Sequence, residues 1–203
     1  GDVNGTKYVG GLIGENFEDV SELYATGNVN ATRNVGGLIG ENNANVTESY
    51  ATGDVESDED WVGGLVGLNY GNITKSYATG DVDGDFVGGL VGLNSDNDVA
   101  SSYATGDVDG SGDYVGGLVG RNNADVTNSY ATGDVNGTAD VGGLLGFNAA
   151  GTASNSYWDT EAATITEGGT DIEQGIGGGD SGDVTGLTTA EMQRFAPQVT
   201  MDG

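Results

Sequence analysis

Val9-Gly10-Gly11-Leu12, followed by Tyr24-Ala25-Thr26-Gly27, decides the fold of this chain. The first tetrapeptide returns at Val35, Val62, Val87, Val115 and Val141, at spacings of 26, 27, 25, 28 and 26 residues. The second returns at Tyr50, Tyr77, Tyr103 and Tyr130, with Tyr157 as a degenerate further copy. A period of this size marks a stack in which each unit buries its face only against its neighbours. The expected fold is therefore all-β: a parallel β-solenoid, or β-helix, of six coils of about 26 residues with three short strands per coil.

Each unit opens with a pair such as Asp2-Val3, Asn28-Val29 or Asp81-Val82, and a turn of variable length leads to Val-Gly-Gly-Leu. An aromatic closes that turn at Tyr8, Trp61, Phe86 and Tyr114, whereas Asn34 and Asp140 stand there in the other units. Beyond the glycines every unit carries an asparagine: Asn16, Asn42, Asn69, Asn94, Asn122 and Asn148. The same amide at the same place predicts an asparagine ladder at a turn, each backbone in the left-handed region that Asn tolerates. A short strand around Val20, Val46, Ile73, Val99 and Val126 then bends into Tyr-Ala-Thr-Gly. A period of two there places Ala51, Gly53 and Val55 inward and Tyr50, Thr52 and Asp54 outward. The tyrosines then stack as a column at a corner or, as the alternative, pack inward beside the valines.

The repeats occupy residues 1 to 159. Residues 160 to 203 read as an irregular Gly- and acid-rich cap, with one extended stretch at Ala163 to Thr166. Thr188-Thr189-Ala190-Glu191 has the spacing of a capping box. It opens a short helix near residues 189 to 195, through Met192 and Phe195, that Pro197 is expected to end. A stack needs its last edge covered, and this tail is the candidate cover. Gly1 falls inside a repeat and is not Met, so a mature segment or an excerpt of a longer protein is expected.

Composition narrows the chemistry. With 40 glycines and one proline in 203 residues, the chain lacks the large side chains of an ordinary globular core. The absence of Cys and His removes disulfides, thiol nucleophiles and imidazole catalysis. Acids outnumber bases 32 to 5, a net charge of -27, which repels phosphate backbones and anionic lipid. No nucleic acid partner and no membrane insertion are expected. The remaining readings are life in concentrated salt or binding of divalent cations, and salt is preferred because the acids spread over every repeat.

Three sets of residues are candidates for chemistry. Asp81, Asp83 and Asp85, and likewise Asp107, Asp109 and Asp113, alternate along turns that contain glycine, an oxygen-rich pattern of the kind calcium takes. Asp-Gly is also an ordinary turn pair, and the closing Glu of an EF-hand loop is missing. No other cofactor is required. Glycosylation sequons stand at Asn4, Asn30, Asn45, Asn72 and Asn136. Arg33, Lys75 and Arg121 interrupt the pattern and are expected to be salt-bridge partners. No residue is assigned to catalysis, because catalysis should break the repeat with unique residues and a long loop.

With Gly-Leu-Ile/Val-Gly at Gly11 to Gly14, Gly37 to Gly40, Gly64 to Gly67, Gly89 to Gly92 and Gly117 to Gly120, the chain resembles the GLUG-motif repeat proteins. Gly143 to Gly146 departs only by Leu145. Tyr157 to Thr160 and Gly186 to Gln193 also look like segments that follow such repeats. The resemblance implies a large secreted or surface-attached bacterial or archaeal protein and no catalytic residue, and the acidity is like that of haloarchaeal members. The function expected is an extracellular or cell-surface structural or interaction module, adhesin-like or a filament or spacer segment, of a salt-adapted organism. Its partners would be a protein or glycan at that surface, or a second copy joined head to tail. The alternative is a carbohydrate-active β-helix enzyme or glycan-binding module. It gains if Trp61, Phe86 and Tyr114 line a concave acidic face with two carboxylates in reach of a sugar.

Overall fold

The structure, a computed structural model, describes residues 1–180 and 182–195. It is a parallel β-solenoid, and the coil from Val29 to Ala51 serves as its unit. Five strands make that coil: Val29–Ala31, Arg33–Gly36, Ile39–Asn42, Val46–Thr47 and Tyr50–Ala51. Each pairs in parallel with its equivalent one coil away, which generates five sheets along the stack. Val9, Val35, Val62 and Val87 fall in one column, as do Val115 and Val141.

The count of five strands corrects the expected three, and the glycine pair supplies the physical reason. Val-Gly-Gly-Leu is not one strand but a bend between two. A Cβ on Gly36 would lie 2.0 Å from the Ile39 carbonyl oxygen, and one on Gly37 would lie 2.1 Å from that of Gly64. Only glycine lets the backbone fold over itself this closely. A second corner follows the short Val46–Thr47 strand. There Glu22, Glu48, Lys75, Ser101, Asn128 and Asn155 take φ between 48 and 57°.

Those corners also correct the expected conformation of the asparagines. None of the six ladder residues has positive φ; each ends an extended strand, as Asn42 ends Ile39–Asn42. The ladder itself is present. Each Nδ2 donates to the Oδ1 of the next asparagine at 2.8 to 2.9 Å, from Asn16 through Asn148. The same nitrogens reach a carbonyl two residues on, Ala44 at 2.5 Å and Gly71 at 2.6 Å, which holds the following turn. Asn42, Asn69, Asn94 and Asn122 are wholly buried. A planar amide carries donor and acceptor together, so a column of copies satisfies itself where water is absent.

A second buried ladder was not anticipated. Ser49, Ser76, Ser102, Ser129 and Ser156 are each 0% exposed. Each hydroxyl accepts the backbone N–H of the preceding coil at 3.1 to 3.3 Å. Each also donates to the carbonyl two residues before it, at 2.8 to 3.0 Å. Between the ladders run apolar columns, among them Leu38, Leu65, Leu90, Leu118 and Leu144, all 0% exposed. Leu12, their counterpart in the first coil, is 53% exposed, which measures how much of a coil's burial its neighbour provides. Along Tyr-Ala-Thr-Gly the expected alternation holds: Ala51, Gly53 and Val55 are buried, Thr52 and Asp54 exposed.

The tail is more regular than expected. Ile165–Glu167, Ile176–Gly179 and Val184–Leu187 pair in parallel with the sixth coil and build a seventh, incomplete turn. Ile165 takes the place of a column valine, opposite Val135, and is 2% exposed. Thr170–Ile172 folds back antiparallel on Ile165–Glu167 and covers that sheet's last edge. A backbone ladder needs no repeated sequence, so the stack continues where the motif stops. The helix, Thr189–Phe195, is present with its capping box: Thr188 Oγ1 accepts the Glu191 N–H at 3.3 Å, and Glu191 accepts the Thr188 N–H at 3.0 Å. Pro197 lies outside the described residues.

The ladder sets a graded expectation for stability. Asn94→Ala strips a bond from Asn69 on one side and Asn122 on the other, and should destabilise by about 2 to 4 kcal/mol. Asn16→Ala removes a single bond and should cost less. Urea titration of both variants checks the order, and equal losses would contradict a shared ladder.

Candidate functional site

Three outward surfaces could meet a partner: an acidic groove, a tyrosine column and an aromatic cluster. The groove, about 740 Å³, follows the exposed face of the first sheet. One wall is the row Asp2, Asn28, Asp54, Asp81, Asp107 and Asp134, and the other includes Asn4, Asn30, Glu56, Asp83, Asp109 and Asn136. The rows arise because residues two apart on a strand share a face, while valines between them point inward.

The first row is tied to the backbone. Each Oδ1 accepts the amide N–H of its equivalent one coil on, at 2.9 to 3.1 Å from Asp2 to Asp134. Thr164 continues the series by donating to Asp134 at 2.6 Å. These carboxylates therefore close the turn between coils, and their spacing follows from strand stacking. In the second row Asn30 donates to Glu56 at 2.9 Å and Asn136 to Asp109 at 3.0 Å. Partial desolvation in the groove, helped by the charges of Asp109 and Glu56, pushes the Asp83 carboxyl above its ordinary range.

The calcium candidates are thus separated by the geometry of a strand. Asp81 and Asp107 lie in the first row and Asp83 and Asp109 in the second, while Asp85 and Asp113 lie outside the groove. Side chains two apart on a strand project about 6.6 Å from one another, and equivalent ones in successive coils about 4.8 Å. Among the described residues no three acidic side chains gather in a metal-binding arrangement. The sequons also lie on strands or at their starts. Asn4, Asn30, Asn72 and Asn136 are exposed, and Asn45 is half-buried, its amide donating to Asp19 at 2.9 Å.

The tyrosines form the outer column, not the inward alternative. Tyr24, Tyr50, Tyr77, Tyr103 and Tyr130 stack with centroids 4.8 to 5.3 Å apart and planes within 10° of parallel. Burial within the column pushes the Tyr103 phenol up to about 12, with Tyr130 and Tyr77 adding to it.

The third surface is aromatic. Trp61 and Phe86 lie 5.0 Å apart, Phe86 and Tyr114 5.9 Å, and Tyr114 and Phe147 5.1 Å, all half-buried. Trp61, Phe86 and Tyr114 come from the second strand of three successive coils, and Phe147 from the third strand of the next. None of the four lines the acidic groove. The concave acidic face carrying the three aromatics is therefore not what these residues build.

The basic residues divide. Arg33 meets Glu59 at 2.7 Å and Asp60 at 3.6 Å, and Lys75 meets Glu48 at 3.0 Å, as expected of salt-bridge partners. Arg121 departs from that expectation: among the described residues it has no ion pair, and its guanidinium carbon stands 5.9 Å from the Tyr114 ring centroid. No helix among the described residues is long and apolar enough to cross a membrane.

A family model described as the GLUG motif matches residues 5–30, 31–56, 62–83, 87–109 and 111–136. The copy with Leu145 lies beyond those segments, yet it forms a full coil. No curated protein matches the chain.

The backbone role of the acidic row can be separated from its charge. Asp81→Asn keeps the oxygen that accepts the Asp107 N–H and removes a charge, so it should match or exceed the parent in stability at low salt. Asp81→Ala loses the acceptor and should cost about 1 kcal/mol. Thermal melts of the two variants should diverge; equal behaviour would mean the carboxylate is not a structural acceptor.

Proposed function

Because the chain belongs to the GLUG-motif repeat family, we propose that it is an extracellular or cell-surface structural and interaction module of a salt-adapted organism, a spacer or adhesin-like segment and not an enzyme. The observation that carries this reading is the unbroken run of rungs from the first coil into the tail. The asparagine ladder ends only where Asn148 donates to the Asp180 carbonyl of the seventh turn. A rod whose inward columns are fixed and whose outward columns vary extends by length and displays side chains at regular intervals.

Two further observations support it. The first-row carboxylates of the groove are committed to backbone N–H groups, which leaves them poor candidates for proton transfer. The acids also sit in stacked rows, where like charges about 4.8 Å apart repel and concentrated cations screen them. The partner of such a module is a protein or glycan met at the surface.

Antibodies raised against the folded chain should label intact source cells. Label confined to the cytosol would overturn the surface assignment. Thermal melts should rise in midpoint from low to molar KCl, because screening relieves a net charge of -27 in the compact state. An unchanged midpoint would count against salt adaptation and leave the surface assignment standing.

A further inference from the structure

We infer that the cluster of Trp61, Phe86, Tyr114 and Phe147 is a binding platform for a neutral glycan, with Arg121 as a hydrogen-bond donor to its hydroxyl groups. This rests on the surface-module reading only for where the glycan is met; the binding itself is separate.

The departure from the repeat is local and two-sided. The second-strand column reads Tyr8, Asn34, Trp61, Phe86, Tyr114 and Asp140, so three successive aromatics stand between Asn34 and Asp140. In the neighbouring third-strand column Glu15 and Glu41 give way to Leu68, Leu93, Arg121 and Phe147. Both columns are apolar in the coils of Trp61 and Phe86, and Arg121 and Asp140 bring charge into the next two coils. A contiguous apolar face with polar ends marks a contact surface, whereas scattered exposed rings would not.

Hydrogen bonding points to the same place. Among the described residues two buried side-chain polar atoms have no partner: Asn34 Oδ1 and Arg121 Nε. Asn34, 7% exposed, lies one coil before Trp61, and Arg121 lies over Tyr114. Buried polar atoms are nearly always satisfied, so two orphans beside one aromatic cluster set it apart from the rest of the stack.

The chemistry of the cluster selects the ligand. Aromatic faces receive the C–H face of a pyranose ring, and a guanidinium presents a planar fork of donors to adjacent hydroxyl oxygens. The rings, supplied once per coil, lie 5.0 and 5.9 Å apart, on the scale of one sugar unit in an extended glycan. A net charge of -27 disfavours anionic polysaccharides. A cationic ligand would be drawn to the groove, away from a surface that holds its own cation.

The chain has two tryptophans, Trp61 half-buried in the cluster and Trp158 5% exposed in the core, so emission changes on ligand addition report on Trp61. Cellohexaose, chitohexaose and maltohexaose are titrated in high salt. At least one should give a saturable change. Tyr114→Ala and Arg121→Ala, which keep the reporter, should weaken that binding about tenfold each. Trp61→Ala, followed by calorimetry, should weaken it at least as much, with circular dichroism confirming that each variant is folded. Failure of all three sugars to bind overturns the inference, as does binding that survives the three substitutions. Sedimentation covers the remaining occupant: self-association that Trp61→Ala abolishes would assign the cluster to a second copy and overturn the glycan. None of these outcomes bears on surface labelling.

Discussion

A buried amide that can be satisfied only by a copy of itself one coil away constrains everything else in this solenoid. The side-chain ladder from Asn16 to Asn148 closes at 2.8 to 2.9 Å at each step, a tolerance that permits no slip between coils. A slip of one residue would turn each column from the core toward solvent and break both the amide and the serine ladders. Register is therefore enforced by polar groups, and the small apolar residues around them fill space. This accounts for a stable stack made with few large side chains.

The same translation by one coil explains how the chain tolerates its charge. Identical residues in register place like charges side by side, which is ordinarily destabilising. Here the first acidic row converts that liability into a backbone contact, since each carboxylate accepts the N–H of the next coil. Asn28 serves equally well in that row, accepting the Asp54 N–H at 3.0 Å. What the row requires is a side-chain oxygen at that distance. Its charge is additional, and concentrated salt is the environment in which that charge is least harmful.

Against so regular a background, function is to be sought where the repeat is broken on the outside while the inside stays intact. The coils bearing Trp61, Phe86, Tyr114 and Phe147 keep the same ladders and the same buried valines and leucines as their neighbours. Their outer columns alone change character. Rigid rungs beneath such a cluster hold its rings at a fixed spacing, which lowers the ordering cost of binding a repeating ligand.

The sequence by itself determined the stack, the asparagine ladder and the capping box at Thr188, and left open whether the tyrosines stack outward or pack inward. Each of these is a contact between equivalent residues one period apart or three residues apart, and periodicity reports such contacts directly. The serine ladder carried the same signal, a Ser before each Tyr from Tyr50 to Tyr157, but it was legible only as part of a strand. Tertiary structure alone decided the rest. Glu22, Glu48, Lys75, Ser101, Asn128 and Asn155 turn the same corner without a shared side chain, because the backbone is held there by the strands on either side. Ile165–Glu167, Ile176–Gly179 and Val184–Leu187 extend the stack without the motif, because parallel pairing uses only N–H and C=O groups. The meeting of Tyr114 with Phe147 and Arg121 is a lateral contact between different columns. A repeat encodes its neighbours along the stack, and the neighbours across it follow only from how each coil bends at its glycines.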